Sequence, residues 1–306
     1  MELNLRILKW KSYMTNNIDI SIELVKKLVD EQFPQYSNLE IQPVKFSGID
    51  NRTFHLGNDM LIRLPSAEGY APQALKEQKW LPVLRQYIDI EIPKPLHLGK
   101  PKFGFPWNWS IYQFIPGKSI NMLELTENEL TRLAYDLANF IKNLHQVSIE
   151  DAPLGGLHNY YRGCHQSIYD QDARRDIDIL SNIIDSSKAL KLWEMALKSK
   201  WMKEPVWVHG DMAIGNLLMQ DGILSAVIDF GCMGIGDPAC DLVIAWTFFH
   251  GKSRKIFIKE VGLDDDTWNR ARAWALWKAG FELVSLEDKS SLSALQKIKI
   301  INDVIK

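Results

Sequence analysis

Val208-His209-Gly210-Asp211-Met212-Ala213-Ile214-Gly215-Asn216-Leu217-Leu218 is followed, after a short interval, by Ala226-Val227-Ile228-Asp229-Phe230-Gly231 and then by Gly236-Asp237-Pro238-Ala239-Cys240-Asp241. Acidic residues and one amide here sit beside glycines at the ends of apolar runs, the composition of turns that follow strands. A single His-Gly-Asp carries little information, because any tight turn can hold one. The set carries more. Asp211 and Asn216 are five positions apart, and Asp229-Phe230-Gly231 follows a hairpin-like interval. Hard oxygen atoms from Asn216 and Asp229 suit a divalent cation such as Mg²⁺, and a carboxylate at Asp211 can accept a proton.

The rest of the chain limits what such a set can serve. Among 306 residues, 36 Lys plus Arg face 38 Asp plus Glu, a formal net charge of −2, with 46% hydrophobic and 24% charged residues. This is a globular composition, and without a basic field it gives no ground for nucleic-acid binding. No run reaches the ~18 apolar residues that a membrane span needs, and the first 14 residues, with Arg6, Lys9 and Lys11, lack the apolar core of a secretory signal. Cys164, Cys232 and Cys240 are an odd number with no metal-ligand spacing, which fits a reducing, cytoplasmic location and packing roles. Met14 offers a second start, so residues 1–17 read as an N-terminal extension.

Apolar spacing predicts a helix from Ile20 to Phe33 with Asp19 and Ser21 as capping oxygens, then strands over Leu39 to Phe46, Asn51 to Leu56 and Met60 to Leu64. A helix over Ala71 to Tyr87 and strands near His97-Leu98 and Ser110 to Ile115 complete a β-rich first third. Beyond Gly117 helices dominate, beginning with Glu127 to Gln146 and continuing over Ala173 to Ile184, Ala189 to Lys200, Pro238 to Phe249, Thr267 to Val284 and Leu292 to Ile305. Short strands at Val206 to His209, Leu217 to Met219 and Leu224 to Ile228 interrupt them. The expected class is α+β, a small antiparallel β N-lobe over 18–116 and a larger, mostly α-helical C-lobe over 117–306, with a ligand crevice between two lobes.

Phosphoryl transfer asks a protein mainly to position reactants and to neutralise charge, which calls for these residue types. At His209 to Asp241 the sequence resembles the aminoglycoside phosphotransferase family, a branch of the protein-kinase-like fold, and the resemblance extends from Ile18 to Val284. It implies that Asp211 is the catalytic base, that Asn216 and Asp229 hold Mg²⁺, and that His209, Asp237 and Asp241 brace the catalytic loop. It further implies ATP or GTP as phosphoryl donor and a hydroxyl of a small molecule as acceptor, by default an aminoglycoside-type antibiotic.

Ser47, Gly48 and Asn51 lie where kinases place a phosphate-covering loop, although a full G-x-G-x-x-G is missing; Gly48 would let the backbone come close and Asn51 tolerates left-handed conformations. Arg63 and Glu77 stand at the places of the strand lysine and helix glutamate; an arginine there departs from the pattern but keeps the charge. Ile111 to Gly117 resembles the hinge, where the Gln113 carbonyl and the Ile115 N–H would meet the purine. Only Cys232 to Ile235 separates Gly231 from Gly236, too little for the activation segment that presents a peptide, so a small acceptor is favoured over a protein. Asp264, Asp265 and Asp266 could bind a polycationic aminosugar, and Trp274, Trp277 and Phe281 could line an apolar macrolide pocket; helix capping and core packing explain the same residues. His145, His158 and His165 read as structural histidines. A kinase of choline or homoserine, or a nucleotide-binding module that has lost catalysis, are the other readings, the last motivated by Arg63 and the incomplete glycine loop. Oligomeric state is not legible.

Overall fold

The structure, a computed structural model, describes residues 18–45 and 48–306. The expected extension over 1–17 and the candidate residue Ser47 lie outside the described residues. The described residues divide into two compact units: those up to Pro116 together with Ala226–Gly231, and Gly117–Ser225 together with Cys232–Lys306.

The first unit opens with helix α1 (Ile22–Gln32), capped by the Ser21 hydroxyl, which accepts from the Leu24 N–H. Its apolar stripe, Val25, Leu28 and Val29, is buried. Strands β1 (Ile41–Pro43), β2 (Asn51–Leu56) and β3 (Met60–Pro65) follow, then helix α2 (Pro72–Leu84), β4 (Pro95–Gly99) and β5 (Trp109–Gln113). The sheet is antiparallel throughout, in the order β1-β2-β3-β5-β4. Leu56 pairs with Met60 across a turn in which Gly57 takes φ +60°, a conformation glycine adopts without strain. One core forms where α1 covers the sheet: Leu28 and Val29 meet Phe54, Leu56, Ile62, Trp109 and Ile111. Asn51 opens β2, as the strand expected over Asn51 to Leu56 has it, and its pairing with Pro65 keeps it extended.

The second unit contains β6 (Lys118–Ser119) and α3 (Glu127–His145), whose Thr126 and Glu129 form a reciprocal capping box. Then come α4 (Asp170–Ile179), α5 (Ser186–Lys198), β7 (Val206–Val208), β8 (Leu217–Gln220), β9 (Ile223–Val227) and β10 (Gly234–Gly236), followed by α6 (Ile244–Thr247), α7 (Gly251–Val261), α8 (Asp265–Ser285) and α9 (Leu292–Val304). Two small ladders, β6-β8-β9 and β7-β10, carry the glycine-rich segments. Helix α8 is a hub packed on α4, α5 and α9.

Three expectations need correction. The helix expected over Pro238 to Phe249 is a 3₁₀ turn, Pro238–Val243, before the short α6, because the Asp237 carboxylate and Pro238 shape its start. Helix α7 is not among the expected helices: it is rich in Lys and Arg, with few apolar residues to betray its period, and buries only Ser253, Phe257 and Val261. Phe281 does not belong to the core; it is 45% exposed while Trp274 is buried. Among the described residues no helix is long and apolar enough to cross a membrane.

His145 closes α3 with its Nε2 buried and unpartnered. Burial pushes its pKa from the ordinary 6.5 down to about 4. Between those values the unfolded chain binds more protons than the folded one, so stability is lost as pH falls through that window. Replacing His145 with Leu should flatten this slope, removing on the order of 2–3 kcal/mol of the stability difference between pH 7 and pH 4.5 in urea titrations.

Candidate active site

In the second unit, β7 delivers the chain into His209-Gly210-Asp211. The Asp241 carboxylate, fully buried, accepts the His209 N–H at 2.6 Å and the Gly210 N–H at 2.7 Å. Burial raises its pKa, and those two N–H donors together with His209 oppose that rise. Gly210 takes φ +84°, and a Cβ there would lie 2.2 Å from the Cys232 carbonyl oxygen, so only glycine fits. Its own carbonyl accepts Arg162 Nε at 3.0 Å.

The turn projects the half-exposed Asp211 side chain. Asn216 Nδ2 donates to the Asp211 carbonyl at 2.9 Å and to Oδ2 at 3.3 Å. With the amide nitrogen so engaged, the remaining Asn216 donor is its amide oxygen, a hard atom of the kind Mg²⁺ takes. Ser119 Oγ reaches the Ile214 and Gly215 carbonyls at 3.2 and 3.0 Å and steadies the same loop. Oδ1 of Asp211 accepts from Lys278 Nζ of α8 at 3.0 Å. Burial alone would raise the Asp211 pKa, but Lys278, His209 and Arg162 outweigh it and hold the carboxyl below its ordinary value.

The Asp237 carboxylate accepts the Ala239 N–H at 3.0 Å, and Arg270 of α8 donates to it through Nε at 2.6 Å and through Nη2 at 3.3 Å. Both side chains are buried, so the pair anchors the segment that carries Asp241.

In the first unit, the strand cation and helix carboxylate meet as predicted: Arg63 Nη1 lies 3.2 Å from Glu77 Oε1. Arg63 also reaches Asp229, its Nη2 donating to Oδ1 at 2.8 Å. Burial disfavours its charge, but Glu77 and Asp229 more than compensate and raise its pKa. Tyr112 Oη donates to Glu77 from behind; burial, then Glu77, lifts the phenol well above its ordinary pKa. The Asp229 side chain is 38% exposed, and its bond from Arg63 falls on Oδ1. Asp229 sits at φ +67°, uncommon for a residue with a side chain and typical of strained functional positions. The sequence reading placed 226–231 with the helical part; the Arg63 pair and the Val227 N–H to Glu91 carbonyl bond at 3.0 Å hold it in the first unit.

A Cβ on Gly48 would meet nothing within 4 Å among the described residues. The Gly48 carbonyl accepts Arg52 Nη1 at 3.3 Å. The following residues are tied down by Ser66, whose Oγ donates to the Ile49 carbonyl at 2.6 Å, and by Gln73, whose Nε2 donates to Asp50 Oδ2 at 2.9 Å. At the end of β5, the Gln113 N–H donates to the Lys94 carbonyl and the Phe114 N–H to the Asp59 carbonyl, which fixes the main chain just before Ile115. Lys278, Arg162, Gln73 and Arg270 were not foreseen, since no motif links them to the residues they serve.

A family model described as the phosphotransferase enzyme family matches residues 40–274. The chain belongs to that family. Curated relatives include an aminoglycoside 3'-phosphotransferase of Escherichia coli, 25% identical over 167 residues, 53% of this chain and 61% of the relative. A probable aminoglycoside 3'-phosphotransferase of Lactococcus lactis is 27% identical over 122 residues, covering 39% of this chain and 46% of that one. The chain thus spans about three fifths or less of the curated relatives it matches. Among solved structures, the GDP complex of a mutant aminoglycoside 2'-phosphotransferase-IIIa superposes with TM-score 0.71 at 20% identity, over 93% of this chain and 97% of that one. A macrolide 2'-phosphotransferase type I gives TM-score 0.60 at 15% identity, over 92% and 98%. At these identities the likeness establishes the fold, α+β and protein-kinase-like.

Replacing Asp241 with Ala strands two buried N–H groups. The expected cost is roughly 2–5 kcal/mol in denaturant unfolding, with Asp241→Asn intermediate because its amide oxygen can still accept one bond.

Proposed function

We propose that this protein is a small-molecule kinase that transfers the γ-phosphoryl group of ATP or GTP to a hydroxyl. The observation that carries the reading is the Asp211 carboxylate, held ionised at the tip of a loop whose backbone is locked by Asp241 and whose neighbour Asn216 is already oriented. In the reaction the acceptor oxygen forms a bond to the γ-phosphorus, and the bond to the β,γ-bridging oxygen breaks to release the nucleoside diphosphate. The hydroxyl proton passes to Asp211 as the new bond forms, since a carboxylate of low pKa cannot remove it beforehand.

Asp229 and Asn216 would hold Mg²⁺, which when bound neutralises phosphate charge; both offer hard oxygen donors, in keeping with that cation's preference. Arg63 orients Asp229 and shares its charge with Glu77. The loop near Gly48 and Asn51 would cover the phosphates, and the Gln113 and Ile115 main chain would meet the purine. His209 and Asp241 keep Asp211 in place, with Asp237 behind them through Arg270. The aminoglycosides and macrolides in the relatives' names are the first acceptors to try. A cytoplasmic location accords with three free thiols.

Comparing the wild type with Asp211→Ala and Asp229→Ala tests the assignment. Asp211→Ala should keep Mg²⁺-nucleotide binding and lose about 10²-fold or more in turnover, whereas Asp229→Ala should weaken metal-dependent nucleotide binding itself. Equal triphosphate turnover by all three proteins would refute the assignment of Asp211 and Asp229.

A further inference from the structure

Positions 274, 277, 278 and 281 recur at helical spacing and share one face of α8. On that face Lys278 is salt-bridged to Asp211, and beside it Trp277 stacks on Phe281, with ring centroids 6.1 Å apart and planes 21° from parallel. Tyr169 lies against the Trp277 ring at 4.1 Å. Arg162 places its guanidinium 5.2 Å from the Trp274 ring and 5.3 Å from the Trp277 ring. Its Nη1 is buried with no hydrogen-bond partner among the described residues, as is Trp277 Nε1. Arg162, Asp211, Met212, Trp274, Trp277 and Lys278 line one small cavity.

Lys278 and Arg162 both face the Asp211 carboxylate, while the neighbouring Asp241 carboxylate is buried and taken up by the His209 and Gly210 N–H groups. Lys278 spends one of its three N–H donors on Asp211. Carboxylates that could receive an ammonium-rich ligand are committed elsewhere. Asp264 caps α8 at Thr267 and faces Lys203, and Glu282 is paired with Lys297. Asp266 stands twelve residues before Lys278, about 18 Å away along the helix. An aminosugar with several ammonium groups would meet repulsion from Lys278 and Arg162 beside the base, with Asp264 and Glu282 already paired. A ligand bearing an anionic group would instead take the free donors of Lys278, and a flat apolar body would cover Trp277 and the exposed Phe281.

We propose that the acceptor is a hydroxyl compound with a carboxylate or phosphate close to that hydroxyl and a flat apolar body, selected by Lys278 and by the Trp277–Phe281 face. The proposal rests on Asp211 as the base. It makes Lys278 a specificity-determining residue, and it turns away from the polyamine acceptors that the relatives' names suggest.

The test uses the full chain and a matched set of compounds: 3-hydroxy-3-phenylpropanoate, its carboxamide, 3-amino-1-phenylpropan-1-ol and kanamycin. Binding is read by quenching of tryptophan fluorescence, and transfer from Mg²⁺-ATP and Mg²⁺-GTP by product mass. The carboxylate should bind at least tenfold more tightly than the carboxamide or the amine. Lys278→Glu should reverse that order, and Lys278→Met should level it, with thermal unfolding confirming that both variants fold. Binding of none of the four, or binding of the amine or kanamycin as tight as the carboxylate's in the wild type, overturns the proposal. So does an order unchanged in Lys278→Glu. Kanamycin phosphorylated while the carboxylate goes unbound would sink this inference and leave the kinase reading intact. Lys278-dependent carboxylate binding with no transfer to any compound or to water would sink the kinase reading and leave the ligand chemistry of the site standing.

Discussion

A buried carboxylate that accepts two consecutive backbone N–H groups fixes more of the second unit than any other single interaction. Asp241 has no solvent to stabilise its charge, so its cost is offset only if both donors are aimed at it. Aiming both requires the chain to turn sharply at Gly210, and the turn presses the glycine against the Cys232 carbonyl. From there the direction of Asp211 is determined, and Asn216 closes the loop by donating back to its carbonyl. The Arg270–Asp237 pair serves this arrangement by holding the 3₁₀ turn on which Asp241 rides.

The first unit obeys a parallel constraint built on a cation. Arg63 must reach two carboxylates on different elements, Glu77 on α2 and Asp229 after β9. A guanidinium has donors on separate nitrogens in a fixed plane, and it uses Nη1 for one partner and Nη2 for the other. A lysine ammonium would have to divide one point charge between them. The arginine that departs from the kinase pattern therefore suits this geometry, and it weakens the case for a decayed, non-catalytic module that its presence first suggested.

The alternation of apolar residues was enough to foresee the sheet and the long helices, because each follows from short-range spacing, whereas the Arg63–Glu77 pair was implied only by the resemblance to the kinase pattern. Asp264 as a helix cap was equally visible from the helix that follows it. What spacing could not reach were side chains whose partners lie far along the chain. Lys278 is 67 residues from Asp211, and Arg162 is 48 from Gly210. Helix α7 stayed hidden because its period is carried by few apolar residues, and Phe281 was misplaced because helical spacing marks a face without saying what covers it.

The segment 226–231 makes the same point about motifs. In sequence it lies amid the second unit, yet three contacts hold it in the first: the Val227 N–H on the Glu91 carbonyl, the Asp229–Arg63 pair, and Gly231 against Gln73. A Cβ on residue 231 would come within 2.7 Å of the Gln73 amide, which itself donates to Asp50 in the β1–β2 connection. Gly231 of Asp229-Phe230-Gly231 thus lies against a glutamine side chain that no motif mentions, and Asp229, in its left-handed turn, pairs with an arginine 166 residues earlier. Asp211 and Asp229 stand close in the sequence, but each takes its geometry from its own unit. A substitution such as Gln73→Ala would therefore act on Asp229 and the loop near Asp50 while leaving the Asp241-anchored loop as it is.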